Sequence, residues 1–288
     1  NTLFVDASVN KVGIGTTSPL NVLQIGSTFP ISINSNYPDI HFNSYYSSPY
    51  YRTVTTGYGS RLSFNGATGL LSFIVGPSST TAGDNYSPAT VMAINKSGQV
   101  GIRTASPSSG YMLHVGPKSG DHTKVKIESS SATSQAELDL TANASGWSYL
   151  NLGDGDSYNI GRIGYGHSDN SMRFKVNASE RMRIDSSGRV GIGVTPEANW
   201  RATAKALDIG ATGALWDDYA YTILGNNIYE HTDTNRKHKA NGYSSYIQQY
   251  QGNIYFTNTT SGSADATISE STRMTILANG KIGIGITA

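Results

Sequence analysis

Val12-Gly13-Ile14-Gly15 opens a phrase that returns as Val100-Gly101-Ile102-Arg103, Val190-Gly191-Ile192-Gly193 and Ile282-Gly283-Ile284-Gly285. The first glycines are spaced 88, 90 and 92 residues apart, a period near 90. Self-similarity at a fixed period is the first thing to read in a chain, because it decides the architecture. Each later copy follows a strand-like piece: Val91-Met92-Ala93-Ile94, Arg181-Met182-Arg183-Ile184 or Arg273-Met274-Thr275-Ile276. A turn ending in Gly98, Gly188 or Gly280 lies between. In the first copy Phe4-Val5 plays the strand, and Asn10 stands where the others have glycine. The last residue of a tight hairpin loop often needs positive φ, which Gly supplies most cheaply and Asn next. Each phrase therefore reads as the second strand of a β-hairpin.

Further strands align around the phrase. Downstream, past Pro19, Pro107 and Pro196, come Val22-Leu23-Gln24-Ile25-Gly26, Met112-Leu113-His114-Val115-Gly116 and Ala206-Leu207-Asp208-Ile209-Gly210. Upstream lie Leu71-Ser72-Phe73, Met172-Arg173-Phe174 and Ile254-Tyr255-Phe256. Elsewhere short runs alternate with period two, as in Val125-Lys126-Ile127-Glu128 and Ala136-Glu137-Leu138-Asp139-Leu140, the pattern of half-buried strands. Residues 198–207 offer a turn or two of helix at most. The expected fold is all-β: an elongated homotrimeric fibre of repeated β-hairpins and small β-sheet modules. The modules are a first hairpin (1–26), then 27–116, 117–210 and 211–288.

The trimer follows from the glycines. Gly inside a strand costs about 0.5–1 kcal/mol against Ala, and close approach of another backbone is the common reason for tolerating it. In the phrase the β-branched residues share one face and the glycines the other. Val12, Ile14, Val100, Ile102, Val190, Ile192, Ile282 and Ile284 are expected to pack toward a threefold axis, with the glycines letting neighbouring chains or strands pass close. A monomeric solenoid or propeller is the alternative, and a 90-residue unit is long for either.

Composition narrows the function. The 288 residues carry 21 Lys+Arg against 20 Asp+Glu, a formal charge of +1, so nothing favours nucleic acid or an anionic membrane as partner. Charged residues are 14% of the chain, against about 25% in an ordinary soluble domain. No stretch approaches the roughly 18–20 apolar residues of a membrane helix. The absence of cysteine removes disulfides, thiolate nucleophiles and zinc ribbons. The chain begins at Asn1 rather than Met, as a processed form or piece of something longer would.

The extended phrase, with Met-x-Ile-(Asp/Asn)-x-x-Gly-x-Val-Gly-Ile-Gly-Thr-x-x-Pro followed by Leu-x-Val-Gly, resembles the repeats of bacteriophage tail fibres. Those repeats commonly precede an intramolecular chaperone of the endosialidase type. The resemblance runs through all four signatures. Arg103 departs from the glycine position, and the last copy lacks its proline. The resemblance implies a homotrimeric, β-rich fibre on an extracellular virion that attaches to host-surface glycans or proteins and joins other tail proteins. It also implies that a chaperone could follow Ala288 and be released by self-cleavage.

No enzyme motif is legible. Gly161-Arg162-Ile163-Gly164-Tyr165-Gly166 has the wrong spacing for a dinucleotide loop, and Asp154-Gly155-Asp156 reads as a turn, since Tyr158 and Tyr165 fall where calcium ligands belong. Asp217-Asp218 would need a loop to serve one metal or sugar, since strand neighbours face opposite ways. His114 reads as a packed structural residue, with an ion on the axis as the alternative; His122 is one of six scattered histidines. Arg236-Lys237-His238-Lys239 reads as a solvated loop. No cofactor or metal is implied.

Aromatic residues crowd two intervals: Tyr45, Tyr46, Tyr50, Tyr51 and Tyr58 in one, Trp216 and seven tyrosines from Tyr219 to Tyr255 in the other. Core and interface filling is the plain reading. Trp216, Tyr219, Tyr221, Tyr45 and Tyr46 are the candidates for contact with glycan C–H surfaces. The expected function is a structural and adhesive fibre segment without turnover. The alternatives are a tailspike depolymerase, which would need two carboxylates about 5–10 Å apart, and a bacterial or algal-virus adhesin built from the same repeats.

Overall fold

Short alternating strands broken by Gly, Asn and Ser can bury only one face each, so they must be laid side by side. The computed structural model, which describes residues 3–28, 30–34, 38–76, 80–86, 89–116, 123–129, 135–154 and 156–285, lays them in this way. The chain is all-β, with no helix among the described residues; residues 198–207 enter a strand at Lys205 instead of a helical turn. It forms two compact units, Asn1–Ala132 and Thr133–Ala288.

The first unit contains β1 (Phe4–Asp6), β2 (Lys11–Ile14), β3 (Leu23–Ile25), β4 (Ile31–Asn34), β5 (Asp39–Phe42), β6 (Ser44–Ser47), β7 (Tyr50–Thr53), β8 (Ser60–Asn65), β9 (Leu70–Val75), β10 (Asn85–Tyr86), β11 (Ala89–Ile94), β12 (Val100–Ile102) and β13 (Leu113–Val115). Ten of these make one sheet in the order β1-β2-β3-β4-β5-β8-β9-β11-β12-β13, and β10-β7-β6 make a small second sheet. The second unit contains β14 (Trp147–Leu152), β15 (Gly161–Gly166), β16 (Ser171–Val176), β17 (Ser179–Ile184), β18 (Val190–Ile192), β19 (Lys205–Ile209), β20 (Gly213–Asp218), β21 (Tyr221–Asn226), β22 (Ile228–Glu230), β23 (Arg236–His238), β24 (Ser245–Tyr250), β25 (Asn253–Thr259), β26 (Glu270–Ile276) and β27 (Ile282–Ile284). All but the β22-β23 hairpin join one twelve-stranded sheet in chain order. The sheets run without a break through Gly26 and Gly210, where β3 pairs with β4 and β19 with β20.

All four phrases are hairpin strands. Gly13, Gly101, Gly191 and Gly283 lie opposite Phe4, Ala93, Arg183 and Thr275. The hairpin turns have positive φ at Asn10, Gly98, Gly188 and Gly280, as the loop chemistry requires. The fourth phrase position is left-handed too, and Arg103 adopts φ 60° where the other copies use Gly15, Gly193 and Gly285.

The strand after each proline loop returns parallel to the phrase. β2 pairs with β3, β12 with β13 and β18 with β19. The loop between them folds back under the glycine. A Cβ on Gly13, Gly101 or Gly191 would stand 2.4, 2.2 or 2.2 Å from the carbonyl oxygen of Thr16, Thr104 or Val194. The glycine thus accommodates a backbone of the same chain. The residue opposite it on the parallel strand holds the loop. Gln24 accepts the N–H of Leu20, His114 Nδ1 that of Ser108, and Asp208 that of Glu197. His114 is a loop anchor, in keeping with its structural reading.

Two hairpins are inserted into the run of strands, β6-β7 after Asn43 and β22-β23 after Asn227. Both asparagines have positive φ, and both use the side-chain amide to close the insertion. Asn43 Nδ2 donates to the carbonyls of Thr55 and Tyr58, and Asn227 Nδ2 to those of Ala240 and Tyr243. In the second unit the insertion covers the main core, where Trp200, Trp216, Ile223, Ile228, Tyr229, Tyr246 and Ile268 pack together. Gly225 makes room there, since a Cβ would meet Ile228 at 2.4 Å and the Trp216 ring at 3.0 Å.

These close approaches set opposite expectations for two substitutions. Gly191→Ala drives a methyl group into the Val194 carbonyl and should lower stability by about 2–3 kcal/mol. Arg103→Gly relieves a left-handed arginine and should raise it by about 1 kcal/mol. Denaturant unfolding of the full chain checks both, and a neutral Gly191→Ala would remove the close-approach account.

Candidate functional site

Register decides what each face presents. In the first unit one cross-strand row reads Val5, Val12, Leu23, Ile33, Ile40, Leu62, Phe73, Met92, Ile102, Val115, one apolar residue from each of ten strands. In the second unit a row runs from Tyr165 through Met172, Ile184, Val190, Leu207, Leu215, Leu224, Ile247, Phe256 and Met274 to Ile284. This face is uncovered within the chain: Ile14, Ile25, Ile31, Ile33, Phe42 and Phe73 are all 40–47% exposed. Residues pointing the other way, such as Gln24, Ser32, His41 and Ser72, are at most 6% exposed. The sheet is inside out, with its polar face covered by loops and its apolar face bare.

The eight phrase residues named from the sequence all lie on the bare face. Ile14, Ile192, Ile282 and Ile284 are exposed, and Val12, Val100, Ile102 and Val190 are half-buried by their sheet neighbours. A pocket of about 510 Å³ opens where Leu224, Ile247 and Phe256 meet Asn258 and Arg273, whose Nε donates to Asn258 Oδ1 at 2.8 Å.

The aromatic candidates are scattered. Trp216 is 1% exposed in the core, with Trp200 5.1 Å away, so its ring has no face for a ligand. Tyr219, at positive φ, is 83% exposed. Tyr221 is half-buried, and its hydroxyl donates to Glu230; burial first, then that carboxylate, pushes its pKa up. Tyr45 and Tyr46 stand on β6 in the first unit, where Tyr46 packs on Tyr51 at 5.1 Å.

The carboxylate clusters are ion-paired. Asp217 and Asp218 belong to β20, so they face opposite ways and share no site; Asp217 is exposed and Asp218 buried. Arg201 Nη1 bridges Asp218 at 2.9 Å and Glu230 at 3.0 Å. The basic run is a strand rather than a solvated loop. Arg236 pairs with Glu270 and Lys237 with Asp233; His238 is buried against Ser244, and Lys239 reaches the buried Asp208. Asp154 Oδ1 accepts the N–H groups of Asp156 and Ser157 in a turn, while Gly155 and His122 lie outside the described residues. Among the described residues no group of three or more His, Asp or Glu could hold a metal ion.

One cluster has the residue types of a nucleophilic relay. His41 Nδ1 lies 3.1 Å from Ser44 Oγ, and Asp39 Oδ2 lies 3.9 Å from His41 Nε2. Its chemistry is structural. Ser44 is fully buried and donates to the Ser60 carbonyl, while Arg61 stands 3.4 Å from Asp39 and stacks on Tyr51. Gly161–Gly166, the Gly-rich stretch of the sequence, is strand β15, and two of its glycines seat the rings of Trp147 and Tyr149. Sequence reading missed that pair; its signal was Trp147-Ser148-Tyr149 in period two against Gly164 and Gly166 in the next strand.

Burial of His41, reinforced by Arg61 and opposed by Asp39, lowers its pKa from 6.5 to about 4. The native state then holds the neutral ring where the unfolded chain would bind a proton. This contribution is complete above pH 6.5 and is lost as pH falls toward 4, by at most about 1.4 kcal/mol per pH unit. Denaturant unfolding at pH 7 and pH 4.5 should show that loss, and His41→Gln should reduce it; an unchanged pH slope in the variant would contradict this origin.

No family model matches the chain, and no curated protein matches it.

Proposed function

We propose that the chain is a structural and adhesive segment of a homotrimeric viral tail fibre, and that its repeat of about 90 residues brings successive copies of the Val-Gly-Ile-Gly strand to a common threefold axis. The observation that carries this reading is the bare apolar face, formed by every strand of the first sheet and eleven strands of the second. Each fully covered Ile or Leu contributes about 1.5–3 kcal/mol, so a face this long is strongly driven to find a cover. Lipid fits it poorly. Among the described residues the longest strands have seven residues, short of the roughly 9–11 a membrane-crossing strand needs. Further copies of the same chain fit well, since the two long rows are uncharged and the phrase recurs along them, with Lys205, Asp217 and Arg273 beside the second row. The resemblance of the four signatures to phage tail-fibre repeats supplies the viral setting, the extracellular virion and attachment to a host-surface glycan or protein. An assembly held by interlocked chains, without cysteine, should unfold slowly and resist cold SDS.

Light scattering after size exclusion should give a mass near three times 30.7 kDa. Ile192→Glu with Ile209→Glu, two exposed neighbours on the bare face, should shift the assembly to monomer. A compact wild-type monomer would overturn the fibre reading.

A further inference from the structure

At the first three strands of the second sheet the face opposite the apolar one carries rings and cations. Trp147 and Tyr149, two residues apart on β14, lie stacked with centroids 5.6 Å apart and planes 11° apart. Glycine in the next strand makes room for both rings, and guanidiniums sit against them, Arg162 on Tyr149 and Arg173 4.6 Å over Trp147. A Cβ on Gly166 would stand 2.8 Å from the Trp147 ring, and one on Gly164 2.8 Å from the Tyr149 ring. Around the rings a pocket of about 250 Å³ is lined by Arg162, Arg173, Lys175 and Glu180.

The charges there are unbalanced. Glu180 and Asp169 are taken by Arg173 and Arg183. Arg162 and Lys175 have no counterion within ion-pair distance among the described residues, although they stand directly opposite each other on β15 and β16 and Lys175 also stands opposite Glu180 on β17. Like charges in that position repel and destabilise a sheet. Arg162 is also held in place: its Nε donates to Asn151 at 2.9 Å, and its guanidinium sits 3.8 Å over the Tyr149 ring. A held, half-buried arginine and a half-buried lysine, neither in an ion pair among the described residues, beside two half-buried rings suit an anion that also has an apolar side.

We infer that this pocket binds an acidic sugar residue, its carboxylate on Arg162 and Lys175 and its C–H surface against the part of the Trp147 and Tyr149 rings that the guanidiniums leave open. Arginine matches a carboxylate in a planar, forked geometry, aromatic rings suit the C–H surface of a pyranose, and Glu180 can accept from a hydroxyl. The volume falls below the usual range of small-molecule pockets, which suits one sugar unit at the end or branch of a chain. The use of such binding for host attachment rests on the fibre reading; the binding itself needs only one chain.

Trp147 also supplies the readout. Of three tryptophans, Trp200 and Trp216 are 1% exposed, so acrylamide quenching of the full chain reports on Trp147. Trigalacturonate should protect the fluorescence from acrylamide at least twofold, whereas maltotriose should not. R162Q/K175Q should lose the protection. K175Q alone should weaken trigalacturonate binding at least threefold, with a melting temperature equal to wild type or higher. Absence of protection, equal protection by maltotriose or by inorganic phosphate, or full protection in R162Q/K175Q would each overturn the inference. A monomer that still shows protection would sink the fibre reading and leave the site standing; a trimer without protection would do the reverse.

Discussion

The close contact between a strand glycine and the carbonyl of the loop that follows it sets the shape of the first three signatures. With 2.2–2.4 Å between a notional Cβ and that oxygen, no side chain can be accommodated at Gly13, Gly101 or Gly191. The contact lets the loop tuck beneath the strand and bring the chain back parallel, one position over in the sheet. Gln24, His114 and Asp208 then do one job with three chemistries, each accepting a loop N–H beside its glycine. Parallel return needs a crossover, and here it takes about ten residues without a helix. That economy depends on a strand residue with no side chain.

The same contact fixes which face is bare. Loops, insertions and the Trp200–Trp216 core occupy the glycine side, so the alternating Val and Ile residues are left on the other. One register slip would exchange the two faces, and the bulges opposite the upstream strands, between Thr90 and Met92, Phe174 and Lys175, and Phe256 and Thr257, keep the apolar rows in step. A face with about 25 cal/mol of burial energy per Å² and few charges has little reason to stay in water. The low charge content of the chain is the compositional trace of that arrangement.

Many local features of the fold could be read from the sequence and distant pairings could not, but the alternation at Val125–Glu128 and Ala136–Leu140 misled: these runs are exposed and form no strand, since no described strand pairs with them. The hairpins, the positive φ at Asn10 and the strands at Leu71, Met172 and Ile254 follow from period two and turn chemistry, which act within a few residues. Parallel return carries no such mark, because alternation is blind to strand direction. The glycines were read as room for neighbouring chains or strands, and their nearest neighbour proved to be the next loop of the same chain. The basic run looked solvated because its partners are remote: Arg236 pairs with Glu270, 34 residues on, and Lys239 with Asp208, 31 residues back. Trp216 looked available for sugar because neither its burial nor the role of Gly225 beneath it is a local property.

The two faces also differ in their freedom to vary. A residue in the long apolar rows is tied by register to its neighbours on the adjoining strands, and Ile192 likewise is constrained by Met182 and Ile209 at once. The opposite face is tied only to whatever loop covers it. It holds a buried Asp39-His41-Arg61 cluster in the first unit, and an ion-paired Arg201-Asp218-Glu230 cluster and the Trp147-Tyr149 platform in the second. Substitutions on this side therefore leave the apolar rows untouched. The repeats differ from one another in what this side carries, a buried ionic cluster in the first unit and rings and cations in the second.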